Sequence, residues 1–111
     1  MMTRFPAIGE MRHRITFQKS TQMDDGYGGG EQIWTDIFSV WASVEPISGR
    51  EYYEAMAVQH QVTHRIKTRY RSDVTPEMRV THDGKIYGVE SVVDIGMRHR
   101  FLEILCREQS E

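Results

Sequence analysis

The sequence predicts a mainly β domain, a small β-barrel or curled antiparallel sheet of about six strands with one inserted α-helix. Several segments alternate apolar and polar residues with a period of two, the pattern of a strand that buries one face. Asp83-Gly84 lies between two such segments and signals a hairpin, because both residues tolerate positive φ. Short strands joined mostly by tight turns favour closure, which hides edges that would otherwise pair with other chains.

Thr3 to Glu10 contains Pro6 and Gly9 and shows no periodicity, so residues 1–10 read as an N-terminal arm, ordered where a partner holds it. Arg12 to Lys19 alternates, with His13, Ile15 and Phe17 on one face and Arg14, Thr16 and Gln18 on the other. Ser20 to Gln32 then reads as a long polar loop, in which Gly26, Gly28, Gly29 and Gly30 leave the backbone permissive. Loops of that length inside a small domain are usually functional or disordered. The second strand is expected from about Asp36 to Glu45, with an irregularity where Ile37 and Phe38 adjoin. Within it Val40, Ala42 and Val44 alternate with Trp41 and Ser43. Pro46 ends the ladder because it has no backbone N–H to donate. Ser48 and Glu51 fit a capping box, so a helix is expected over 49–58, with Tyr52, Tyr53, Met56 and Ala57 along one face and Arg50, Glu51 and Glu54 towards water.

His60 to Tyr70 is the cleanest strand, with Val62, His64, Ile66, Thr68 and Tyr70 facing one way and Thr63, Arg65, Lys67 and Arg69 the other. Ser72-Asp73 with Pro76 makes a connector. Met78, Val80 and His82 begin the next strand, and Ile86, Tyr87 and Val89 follow the Asp83-Gly84 turn. Val92 to Ile95 extends or follows that arm, Gly96 breaks it, and Leu102, Ile104 and Cys106 alternate in a final strand. Residues 11–108 form one domain, the chain frays from about Glu108, and 109–111 are a tail. The sum of these elements is a small SH3-like β-barrel or curled sheet.

A chain of 111 residues is most simply one domain with a modest core. Fourteen Lys and Arg against sixteen Asp and Glu give a net charge of −2, which argues against a protein devoted to wrapping polyanionic nucleic acid. The lone Cys106 forms no internal disulfide, which favours a reducing compartment. The N-terminus is too short and polar for a signal peptide, and no apolar run is long enough to span a bilayer, so a soluble, intracellular protein without a membrane partner is expected.

No catalytic, metal or cofactor site emerges. His60 and His64 are four apart, but on a strand that spacing is roughly 13 Å, too far for both imidazoles to reach one ion. Neither Ser nor Cys sits in a nucleophile motif, and Gly26 to Gly30 lacks the lysine of a phosphate-binding loop. Asp24 and Asp25 lie in the polar loop without the desolvation acid–base work requires, and Cys106 reads as a small core residue. An enzyme is not expected. Arg65, Lys67, Arg69 and Arg71 share one strand face, with Arg12, Arg14, Arg98 and Arg100 on neighbouring strands. That face contacts phosphates, meets an acidic neighbouring subunit, or is simply a solvated outer face. Trp41, Pro46 and the Ser48/Glu51 cap read as scaffold.

Taken in order, Gly9-Glu-Met-Arg-His-Arg-Ile-Thr-Phe-Gln18, a Gly-rich loop, Trp41-Ala-Ser-Val-Glu-Pro-Ile-Ser-Gly-Arg-Glu51 and His64-Arg-Ile-Lys-Thr-Arg-Tyr-Arg71 resemble the head-tail joining proteins of tailed bacteriophages and prophages. Met78-Arg-Val80, Tyr87 and Leu102-Glu-Ile-Leu-Cys106 fall where that family would place them, so the resemblance runs from about Gly9 to Arg107. It implies a structural virion protein of the head-tail connector, or neck, a β-barrel subunit that forms a homo-oligomeric ring under the portal or its adaptor. Such a ring helps close the DNA-filled head and attach the tail. A tail-completion or minor tail protein of the same region, or a nucleic-acid-binding barrel, are the alternatives. The implied partners are further copies of the chain, the portal or adaptor, and tail proteins, with non-specific contact to packaged DNA. The implied location is the virion neck, with the host cytoplasm before assembly. The resemblance makes Asp24, Asp25, Gly26, Tyr27, Gly28, Gly29 and Gly30 the candidate channel or assembly loop. Arg65, Lys67, Arg69 and Arg71 become a candidate interface or DNA-facing surface, and Arg50, Tyr53 and Glu54 candidate helix contacts.

Overall fold

Six antiparallel strands close into a barrel in the order β1-β2-β3-β6-β5-β4. They are β1 (His13–Asp24), β2 (Gly30–Pro46), β3 (His64–Arg69), β4 (Arg79–His82), β5 (Lys85–Asp94) and β6 (Phe101–Gln109), with a 3-10 turn at Ile95–Met97. This computed structural model describes residues 10–24, 30–47 and 62–109. The expected helix over 49–58, most of the arm and the loop centre lie outside the described residues. So do Asp25, Gly26, Tyr27, Gly28, Gly29, Arg50, Tyr53 and Glu54. The mainly β, six-stranded barrel is as the sequence predicts.

Period-two patterning accounts for the interior. Ile15 and Phe17 of β1, Ala42 of β2, Ile66 and Thr68 of β3, Val80 of β4, and Ile104 and Cys106 of β6 are buried. Thr68 is the buried polar residue of the described core, and its Oγ1 donates to the Arg69 carbonyl at 2.8 Å, which offsets the cost of removing a hydroxyl from water. A second small cluster, Met11, Ile95 and Phe101, gathers the start of β1 against the β5–β6 turn.

Two irregularities shape the barrel. In the β1–β2 ladder Phe17 pairs with Phe38 and Gln18 with Asp36, so Ile37 is the extra residue of a bulge and stands 48% exposed. This is the Ile37-Phe38 irregularity anticipated from two adjoining apolar residues. In β5, Val89 pairs with Cys106 and Ser91 with Leu105, leaving Glu90 unpaired. The bulge shifts the inward phase from Val89 to Val92, so Val92 extends β5 and packs against the core. Asp83 (φ 52) and Gly84 (φ 77) make the β4–β5 turn in the left-handed region, as the Asp-Gly signal requires.

The polar loop expected over 20–32 is largely strand: β1 continues through Asp24 and β2 begins at Gly30, well before Asp36. Alternation reports a buried face, whereas this stretch pairs backbone to backbone, an interaction available to polar side chains as well. Of β1, Thr16, Phe17 and Gln18 pair with β4; of β2, Ala42 to Pro46 pair with β3. Lys19–Asp24 and Gly30–Thr35 pair only with each other among the described residues and leave the barrel as a two-stranded ribbon. The described chain measures 49 × 28 × 27 Å. Nor does the chain fray at Glu108. Glu108 pairs with Tyr87 and Gln109 with Ile86, and the Glu108 amide donates to Thr63 Oγ1 at 2.7 Å.

Cys106 is fully buried, and burial pushes its thiol up to about 12 from an ordinary 9.0. An unfolded thiol ionises first, so above pH 9 the unfolded chain binds fewer protons than the folded one. Stability is therefore expected to fall as pH rises from about 9 to 12, by about 1.4 kcal/mol per unit from this group. Urea unfolding followed across that range in the native chain and in Cys106→Ala checks this: the variant is less stable at pH 9 and below, shows a flatter decline, and the difference between the two narrows as pH rises.

Candidate interaction surface

The four basic residues predicted to act together are not equivalent. Arg65, 18% exposed, sits between Glu45 at 3.5 Å and Glu103 at 3.3 Å on the strands flanking β3. Arg71 holds Asp73 through two 2.9 Å hydrogen bonds and lies 3.7 Å over the Phe38 ring. That pairing, through its hydrogen bonds first, raises the Arg71 guanidinium and lowers the Asp73 carboxyl from their ordinary ranges. Lys67 and Arg69 make no ion pair with another described residue.

Instead, Arg69 and Arg71 join Arg12 and Arg14 around a groove of about 810 Å³ whose apolar surfaces are Met11, Val40, Trp41 and Tyr70, with Ser39. Trp41, expected to be scaffold, is 56% exposed. The strand period is the reason. With Ala42 inward, Trp41 faces out, paired with Arg14 across the ladder, and the Arg14 guanidinium lies 5.4 Å from its ring centre. Ala42 pairs with Thr68, so the same register brings Arg69 beside Trp41 on the other side.

The β5–β6 turn adjoins this groove. Met97 (φ 54) and His99 (φ 56) join Gly96 (φ 66) in the left-handed region, costly for side-chain-bearing residues. Asp94 supports the turn: its carboxylate accepts from the His99 amide at 3.0 Å and lies 2.6 Å from His99 Nδ1. Tyr70 ties the turn to β3, its ring 4.7 Å from that of His99 and its amide donating to the Arg100 carbonyl at 2.9 Å. Met97 is left 86% exposed at the tip.

The ribbon has its own anchor. Arg79 of β4 donates to Gln18 Oε1 at 2.6 Å and lies 4.2 Å over Trp34, while Gln18 Nε2 donates to Asp36 Oδ1 at 2.6 Å. The four residues link barrel wall and ribbon where the ribbon departs. Of the predicted loop residues, Asp24 ends β1 and Gly30 starts β2.

The described histidines are dispersed. His13 and His82 meet edge to face at 4.9 Å, and His64 packs on Tyr87 at 4.9 Å. Burial lowers the His64 pKa, and burial, with His13 next, lowers that of His82. No group of three or more His, Cys, Asp or Glu residues could hold a metal ion among the described residues. No described helix is long and apolar enough to cross a membrane.

The described residues thus form a closed barrel that carries a pinned ribbon and a groove of arginines and aromatic rings. The chain belongs to the phage head completion protein family, whose model matches residues 6–109. It is 40% identical over 72 residues to the head completion protein gp16 of Bacillus phage SPP1, covering 65% of this chain and 66% of that one. It is 29% identical over 108 residues to the head completion protein gp7 of Enterobacteria phage HK97, covering 93% and 96%. The solution structure of a Shigella flexneri 2a protein superposes with a TM-score of 0.73 at 32% identity over 94% of this chain and 97% of that one. A chain of the native gene transfer agent virion shares the fold, with a TM-score of 0.61 at 17% identity over 88% and 94%.

Proposed function

We propose that this protein is a structural component of the head-tail connector of a tailed phage or prophage, forming a homo-oligomeric ring in the neck that helps close the DNA-filled head and receive the tail. The observation that carries this reading is the match to head completion proteins along nearly the whole chain, including nearly the full length of the HK97 protein. A two-stranded ribbon outside the barrel fits a part that meets something else, because such ribbons are marginal alone in water. Placed towards a central channel, a ring of ribbons would narrow it. A heterologous interface repeated around an axis closes into a ring when its rotation permits. The role is mechanical, without turnover, and the portal or its adaptor and the tail proteins are the proposed partners. Contact with packaged DNA is confined in this reading to non-specific approach of the basic groups.

Electron microscopy of particles made without this protein tests the proposal. Filled heads should lose DNA and remain tailless. Normal, DNA-filled, tailed particles in its absence would overturn it.

A further inference from the structure

We infer that the groove between β1, β2 and β3 is a binding site for a short acidic polypeptide segment that also carries an apolar side chain. The proposal goes beyond the neck reading and does not depend on it. Three arginines, Arg12, Arg14 and Arg69, reach this groove without an ion pair to another described residue, and Arg14 and Arg69 flank the exposed ring of Trp41. Guanidinium forks match carboxylates in a planar, two-bonded geometry. Between them, Trp41 and Tyr70 offer large, rigid apolar area at small entropic cost, and Trp, Tyr and Arg are the residues that dominate binding energy at protein interfaces.

Nucleic acid is the other polyanion such chemistry could take, and the charge layout disfavours it. A strand of phosphates needs a continuous basic track. Here the track stops on one side at Arg65, held by Glu45 and Glu103, and is weakened on the other at Arg71, which is committed to Asp73. What remains is a compact cationic site around the rings of Trp41 and Tyr70. A volume of about 810 Å³ in an open groove lies within the range of ligand-binding clefts, so it accommodates a short segment. Met97 stands on the turn that Tyr70 anchors, where a partner extending past the groove would meet it.

The test uses the full chain and two blocked hexapeptides of equal charge, Glu-Asp-Phe-Glu-Asp-Leu and Glu-Asp-Gly-Glu-Asp-Gly, alongside a thymidine oligonucleotide of matched charge. Binding is followed by NMR at low salt. The first peptide should shift the Trp41 indole and Arg69 side-chain resonances and bind at least about tenfold more tightly than the glycine peptide or the oligonucleotide. Arg69→Glu should weaken it about tenfold, whereas Lys67→Glu, the same charge change two residues along β3 and outside the groove, should have little effect. Absence of shifts, tighter binding of the oligonucleotide, or equal losses in the two variants would overturn the inference. The comparison of probes on the native chain stands even where a variant folds poorly.

Discussion

Replacing Phe17 with alanine is expected to destabilise the folded chain by about 3–5 kcal/mol. Phe17 is fully buried, its ring lies 4.8 Å from that of Phe38, and its backbone faces Phe38 of β2 on one side and Val80 of β4 on the other. It therefore lies where the barrel closes. Truncation removes a large apolar side chain and leaves a cavity that two paired strands hold open. A small domain has a total stability of only about 5–15 kcal/mol, so the loss is a large fraction of it. Urea unfolding should show a lower midpoint with an unchanged slope. Ile37→Ala supplies the contrast, since the bulged Ile37 is nearly half exposed and should change stability by less than about 0.5 kcal/mol. Equal losses at the two positions would contradict the assigned bulge and the inward phase of β1.

Shortening the ribbon should separate folding from assembly. Thr21 pairs with Ile33, so replacing residues 22–32 by Asn-Gly joins those two residues through a tight hairpin turn. The barrel pairings of β1 with β4 and of β2 with β3 remain, as does the Asp36–Gln18–Arg79–Trp34 anchor. The shortened chain should unfold within about 1 kcal/mol of the native one. If the ribbon acts in head closure, particles built with the shortened chain should yield infectious virus at least about a hundredfold less, a loss that local stability effects of this size do not explain. Full infectivity would remove the ribbon from the mechanism, and loss of the folded barrel would mean that the ribbon belongs to the domain.

Legibility in the sequence followed the rule of one buried face. The phase of β1 was readable from Ile15 and Phe17, that of β3 from Val62, Ile66 and Thr68, and that of β6 from Leu102, Ile104 and Cys106, because each strand sets one side into the core. The same logic fails where no core is present. Ser20 to Asp24 and Gly30 to Thr35 form ladder bonds outside the barrel, where side-chain polarity carries no record of pairing. The groove was legible in part. Arg12, Arg14 and Arg69 were expected on neighbouring strands, whereas β2 lies between β1 and β3 and the groove spans all three; the outward phase of Trp41 followed from the inward phase of Ala42. Calling Trp41 scaffold set the usual fate of a tryptophan against the strand period, and the period prevailed.

By itself the sequence determined the β class, the Asp83-Gly84 hairpin, an irregularity near Ile37-Phe38 and the family, since each follows from local chemistry or from the order of motifs along the chain. Tertiary structure alone decided which cations remain available. Arg65 and Arg69 are four residues apart on the same strand face, yet one is met by Glu45 and Glu103 and the other lines the groove with Trp41. Charge is a property of residues, whereas neutralisation depends on which strands closure brings alongside.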